Sequence, residues 1–161
     1  MHSRIPALGP RGEGWVVAQL VLFAIIAISG LRAVADGPPD QWGSVGRLAG
    51  VALVAGGGLL AVRGAWDLRS TFSAFPRPVA DSTLVQTGAY RLIRHPIYSG
   101  LVLASIGWGI ASGSLIAIAG AILLFLLFDG KSRREEVWLV EVHPDYRAYQ
   151  ARTKRLIPWL Y

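Results

Sequence analysis

The stretch IYSGLVLASIGWGIASGSLIAIAGAILLFLLF, residues 97–128, carries no charge over 32 positions. As one straight helix it would be about 48 Å long at 1.5 Å per residue. That exceeds the ~30 Å hydrocarbon core of a bilayer by more than tilt absorbs. Its middle holds Gly107, Gly109, Ser112, Gly113 and Ser114, residues that make turns. The stretch therefore reads as a hairpin of two short membrane helices, about 97–111 and 115–129.

Two further apolar runs precede it. Gly14 to Leu31 follows an N-terminal segment without a clear signal-peptide cleavage site and reads as a retained membrane helix, with Trp15 as an interfacial aromatic. Asp36-Gly37-Pro38-Pro39-Asp40 stops it. Leu48 to Val62 is bracketed by Arg47 and Arg63, whose long side chains reach the interfaces. Inside it, Gly56-Gly57-Gly58 has no strand before it, so close helix packing fits better than a nucleotide loop.

The expected fold class is all-α: an integral membrane helical bundle of four membrane helices, about 14–34, 46–66, 97–111 and 115–129. Residues 1–161 make a single membrane domain, with a cytoplasmic loop 67–96 and a cytoplasmic C-terminal segment 130–161. Within that segment 131–142 and 145–154 read as helices separated by His143-Pro144. Charge sets the orientation. Arg63 to Arg94 holds five arginines against two aspartates, and Asp129 to Tyr161 holds seven Lys+Arg against five acids. Arg32 to Arg47 holds two arginines against two aspartates. Positive-inside counting puts both termini in the cytoplasm.

Composition narrows the chemistry. Of 161 residues, 53% are hydrophobic and 16% charged, well under the roughly 25% charge of soluble domains. There is no cysteine, which removes disulfides, thiolate catalysis and Cys-ligated metal. The histidines, His2, His95 and His143, form no metal-binding spacing, so no metal is expected. The net charge of +6 flanks apolar runs, as membrane-facing charge does, and does not indicate a nucleic-acid partner.

Two polar clusters could carry chemistry. One is Gly88-Ala89-Tyr90-Arg91-Leu92-Ile93-Arg94-His95-Pro96-Ile97-Tyr98-Ser99-Gly100; the other is Lys131-Ser132-Arg133-Arg134-Glu135-Glu136. A hairpin returns its second helix to the face the first left, so the two become neighbours. Pro96 suits a first helical turn and His95 its cap, leaving free N–H groups beside Arg94 as an anion site. Tyr98 adds a ring and a hydroxyl, and Gly100 lets a ligand approach closely. Glu135 and Glu136 point about 100° apart on a helix and cannot serve one ligand alike. An ordinary basic loop entering a membrane helix would carry many of the same residues, and Lys131 could pair with Glu135 four residues on.

The order Gly-x-Tyr-x-x-x-Arg-His-Pro-x-Tyr-x-Gly, an apolar hairpin, Arg-x-Glu-Glu, then Tyr146, Tyr149 and Pro158 resembles the isoprenylcysteine carboxyl methyltransferase and phospholipid methyltransferase family over roughly residues 60–161. Phe75-Pro76-Arg77-Pro78 and Leu84-Val85-Gln86-Thr87-Gly88 are also similar. Ala89 stands where the family often has proline, and a glycine usual near His143-Pro144 is missing. The resemblance implies S-adenosylmethionine as cofactor and a lipophilic acceptor, an isoprenylcysteine carboxylate-like group, isoprenoid or lipid, at the cytoplasmic membrane face. It implies cofactor contacts at Tyr90, Arg94, His95, Pro96, Tyr98, Gly100, Glu135 and Glu136, and catalytic roles for Arg133, Glu135 and Glu136. Usage rich in Ala, Gly, Val and Arg points to a GC-rich bacterial genome and hence an inner membrane. A sterol-reductase-type membrane reductase would share the Arg-His-Pro stretch but use NADPH. A non-catalytic membrane scaffold would keep the fold alone. Glu135-Glu136 favours the methyltransferase.

Overall fold

A computed structural model of the chain describes residues 5–37, 43–69, 73–77, 83–158 and 160–161. The expected break at Pro38-Pro39-Asp40, Pro78, and residues 1–4 lie outside the described residues. Among the described residues the chain is all α-helical: α1 (Glu13–Ala35), α2 (Gly43–Leu68), a single 3₁₀ turn (Gly88–Arg91), α3 (Pro96–Ser112), α4 (Leu115–Val142) and α5 (Tyr146–Arg152). The helices pack in the order α1, α4, α3, α2, with α1 also touching α3. Their shared core is Ile26, Val102, Ala117, Leu124 and Phe128.

Outward faces carry large apolar side chains in the open, among them Leu20, Val21, Leu48, Leu59, Leu123 and Leu126. Such a surface suits lipid, not water. α1, α2 and α4 are each long and apolar enough to cross a membrane, while α3 is a 17-residue apolar helix, about 25 Å long. The protein is an integral membrane protein.

The hairpin forms at its glycine-serine break. Gly113 ends α3 with φ +70°, a conformation glycine adopts freely. Ser114 caps α4, its hydroxyl accepting from the Ala117 N–H at 3.1 Å. Gly107 and Gly109 stay inside α3 and serve packing instead.

One expectation is corrected. The hairpin's second arm does not end near residue 129, and no separate helix starts at Lys131. α4 runs unbroken for 28 residues to Val142. The physical reason is that no breaker stands between Phe128 and His143. Gly130 alone costs a helix only about 1 kcal/mol, and it lets the Trp15 ring pack close, 3.0 Å from where a Cβ would sit. The helix stops where Pro144 disfavours it.

α2 and α3 meet through glycine. A Cβ on Gly57 would lie 2.5 Å from the carbonyl oxygen of Gly100 and the nitrogen of Ala104, and one on Gly100 2.5 Å from the Gly57 oxygen. One on Gly107 would lie 2.6 Å from the oxygen of Gly50. Gly56 and Gly58 face open space. Of the three adjacent glycines, only the central one lies in the interface. We expect Gly57→Val to force the helices apart and cost about 1–3 kcal/mol or more, as overpacking does. Gly56→Val should be near neutral. Thermal unfolding of both variants in the same detergent checks this.

Candidate functional site

The site lies where the hairpin's two open ends meet. His95 caps α3 with Pro96 at its first turn, and Tyr98 follows on the helix. The turn that delivers them is held from below. Asp67 at the end of α2 accepts the Ala89 N–H at 2.8 Å, and Gly88 takes φ +59° directly over that carboxylate, where any Cβ would collide with it. Beyond the turn the chain pairs with the C-terminal segment. Arg94 N–H donates to the Lys154 carbonyl at 2.8 Å and His95 N–H to that of Arg155 at 3.1 Å. The Ser99 hydroxyl bonds the Leu156 carbonyl at 2.6 Å.

α4 brings Glu135 and Glu136, and they diverge as a 100° step requires. Glu136 is 5% exposed and faces inward. Its carboxylate accepts from Arg94 Nε at 2.7 Å and from Gln150 Nε2 at 2.9 Å. It also lies 3.2 Å from His95 Nε2 and 3.5 Å from Arg155 Nε. Arg94 Nη1 donates to the carbonyls of Gln150, at 3.2 Å, and Thr153. A carboxylate only accepts, so His95 Nε2 carries the proton.

Glu135 faces a different space. It accepts from the Tyr98 hydroxyl at 2.8 Å, while His95 Nδ1 stays 3.9 Å away, beyond hydrogen-bond range. The rings of His95 and Tyr98 stack at 5.3 Å and 2° between planes, and Tyr98 stacks on Phe128 at 4.5 Å. Glu135, His95, Tyr98 and Arg94 line a cavity of about 180 Å³. Tyr90, Tyr146 and Tyr149 close one side, Leu84, Val85, Leu101 and Leu139 give it apolar surface, and Lys131, Gln19 and residues 73–76 complete it. Burial pushes the phenols of Tyr90, Tyr146 and Tyr149 up, so they stay neutral hydroxyls at physiological pH. The Tyr149 hydroxyl donates to the Tyr90 carbonyl at 2.6 Å.

The residues singled out in the sequence divide. Tyr90, Arg94, His95, Tyr98 and Glu135 line the cavity. Glu136 stands behind it as counter-ion. Pro96 is buried against Gly64 of α2, and Gly100 is spent on the α2 contact, so neither lines the cavity. Arg133 is exposed and binds Asp129 at 2.8 Å and the Tyr161 hydroxyl, outside the cavity. Its expected catalytic role therefore finds no support in its position. Sequence reading missed Asp67, Gln19 and Gln150. Gln19 had a signal, being a lone amide in an apolar run; the other two had none. Among the described residues, no three His, Cys, Asp or Glu side chains gather as a metal site would need.

The unequal burial of the glutamates yields a prediction. Glu136→Gln leaves Arg94 buried without its counter-ion, and breaking such a pair costs roughly 3–5 kcal/mol. Glu135→Gln keeps the Tyr98 hydrogen bond and should change stability little. Paired melting curves of the two variants test the difference.

Comparison with known proteins follows the same lines. A family model described as phospholipid methyltransferase matches residues 45–145. The cobalt-zinc-cadmium resistance protein CzcN of Cupriavidus metallidurans is 35% identical over 81 residues, 50% of this chain and 38% of that protein. Among solved structures, the eukaryotic intramembrane Ras methyltransferase, isoprenylcysteine carboxyl methyltransferase, is similar with a TM-score of 0.70 at 22% identity. The match covers 92% of this chain and 53% of that one. The chain thus spans about half the length of that structure and less of the curated relative. The likeness in structure extends to the fold.

Proposed function

We propose, on the premise that this chain belongs to the phospholipid methyltransferase family, that it transfers a methyl group from S-adenosylmethionine to a lipophilic acceptor at the cytoplasmic face of a bacterial inner membrane. The carrying observation is the cavity wall of Glu135, Tyr98 and His95 at the junction of the apolar helices and the polar cap.

The residues present fit such a donor. Its amino group, sulfonium and ribose hydroxyls call for an anionic acceptor, and Glu135 has oxygen capacity beyond its bond to Tyr98. Its adenine calls for flat and apolar surface, which Leu84, Val85, Leu139 and the tyrosines offer. At about 180 Å³ the cavity is smaller than the roughly 300–1,000 Å³ of most small-molecule sites, so the walls at 73–76 and 83–85 would have to yield on binding. Bound there, the donor supplies an electrophilic methyl on sulfur. The chain's own part is to hold the reacting groups in line and keep water out. Glu136 holds His95 and Arg94 in place; Tyr98 fixes Glu135.

In this reading residues 1–161 form one membrane domain and α1 to α4 each cross once, with both termini and the 67–96 loop cytoplasmic. A 28-residue α4 is about 42 Å long. Started at the far face, it would bring Glu135 and Glu136 to about 30–32 Å, the edge of the ~30 Å apolar layer, and carry its last residues about 12 Å beyond it.

Two outcomes are expected. Calorimetry in detergent should show binding of S-adenosylhomocysteine and none of NADPH. Tyr98→Ala and His95→Ala should each weaken it roughly tenfold or more, the worth of one hydrogen bond to a charged group, and Glu135→Gln should lose most turnover. Binding of NADPH alone would place the protein among reductases, and binding of neither would remove the proposal. For topology, a single cysteine replacing exposed Asp36 should react with an impermeant maleimide from outside the cell. One replacing exposed Arg147 should react only in inverted vesicles. Labelling of both from one side would refute four crossings.

A further inference from the structure

Lys131 is a buried cation of the site that touches only neutral partners. It is 1% exposed, sits one helical turn to the membrane side of Glu135, and lines the cavity. Its ammonium donates to the Gln19 side-chain oxygen at 2.7 Å and to the Ala74 carbonyl at 3.0 Å, and lies 5.0 Å from the centre of the Tyr98 ring. All three are neutral partners. Among the described residues no carboxylate pairs with it, since Glu135 accepts from Tyr98 and Glu136 is taken by Arg94, His95 and Arg155. The i,i+4 pairing with Glu135 that the sequence allowed is not made.

Glu135, one turn along the helix, attracts this cation without touching it, and its direct contacts are dipoles; burying it so is costly, and an anion brought beside it recovers part of that cost. The neighbours suit such an arrival. Gln19 offers amide N–H donors as well as its oxygen, so it could turn toward an anion, which an aspartate or glutamate there would repel. Leu101 lines the cavity, and the Phe128 ring lies 5.7 Å from the ammonium behind it, so apolar side chains also flank the charge.

We propose that Lys131 and Gln19 form an anion-binding subsite, taking a ligand carboxylate or phosphate at the membrane-side end of the cavity. The inference rests on the methyl-transfer reading for the identity of the ligands but not for the presence of the subsite. Two sources share this chemistry: the amino-acid carboxylate of the donor, and the anionic head of an amphiphilic acceptor. Charge order favours the second, since a cationic donor held by Glu135 would then lie between Glu135 and the acceptor's anion, with signs alternating along the cavity.

The test uses full-length protein in nanodiscs of neutral lipid. Calorimetric affinities are measured for S-adenosylhomocysteine against its carboxamide, which keeps the amino group and removes only the negative charge, and for oleate against oleyl alcohol. Lys131→Gln should weaken one carboxylate ligand about tenfold or more while leaving its counterpart unchanged, and Lys131→Arg should restore much of the loss. Loss for oleate assigns the subsite to the acceptor; loss for S-adenosylhomocysteine assigns it to the donor. If Lys131→Gln does not fold, Gln19→Leu is read the same way. Wild-type protein that binds neither carboxylate better than its counterpart, or variants that bind both as wild type does, would overturn the subsite. Absence of both adenosine ligands with oleate discrimination intact would instead count against the methyl-transfer reading alone.

Discussion

A single buried carboxylate organises this end of the molecule. Glu136 sits among donors from three separate stretches of chain: Arg94 and His95 before α3, Gln150 on α5, and Arg155 in the C-terminal segment. An ionised carboxylate out of water must be surrounded by donors or not be buried at all. Satisfying it forces residues 41 and 42 positions away along the chain to approach α4. The backbone contacts between 94–95 and 154–155 then follow, because the side chains have already brought the strands of chain together. The network stabilises by being complete, and its value lies in the geometry it fixes.

The hairpin makes that network possible. Arg94 and Glu136 can meet only if the apolar stretch between them starts and ends on one side of the bilayer. Gly113 supplies the turn, and α2 supports α3 through glycine contacts too close for any side chain. In lipid there is little hydrophobic force to press helices together, so this closeness, with its many dispersion contacts, carries much of the attraction. It also explains why Gly100 is unavailable to a ligand. The residue sits in the recognisable run with His95 and Tyr98, yet its small size is used on the opposite face of α3.

That case shows where reading the sequence stopped. The hairpin was legible because charge and glycine are local signals. The divergence of Glu135 and Glu136 was legible because helix geometry alone demands it. The length of α4 was misread: polar residues from Asp129 onward resembled a new element, but polarity marks an exit from lipid and does not break a helix. Arg133 was overvalued because its motif position says nothing of its partners, and Asp129 and Tyr161 hold it outside the cavity. Gln19 and Lys131 stand 112 residues apart, and no local pattern joins them. Only packing α1 against α4 does.

The two glutamates also explain why one end of an apolar bundle can hold polar chemistry without being pulled apart. Glu136 is engaged by three donors and faces the Arg155 guanidinium, and it contributes order. Glu135, with one hydroxyl donor and 23% of its side chain exposed, keeps lone pairs facing the cavity. If both were fully paired, the cavity would offer a ligand no free carboxylate oxygen. If neither were, two adjacent carboxylates would repel and the turn carrying His95 would lose its anchor. Adjacent positions on one helix meet both demands because consecutive side chains point in different directions. The cost of burying charge is met on one face, and on the other the site keeps an anion, Glu135, and one helical turn away a cation, Lys131.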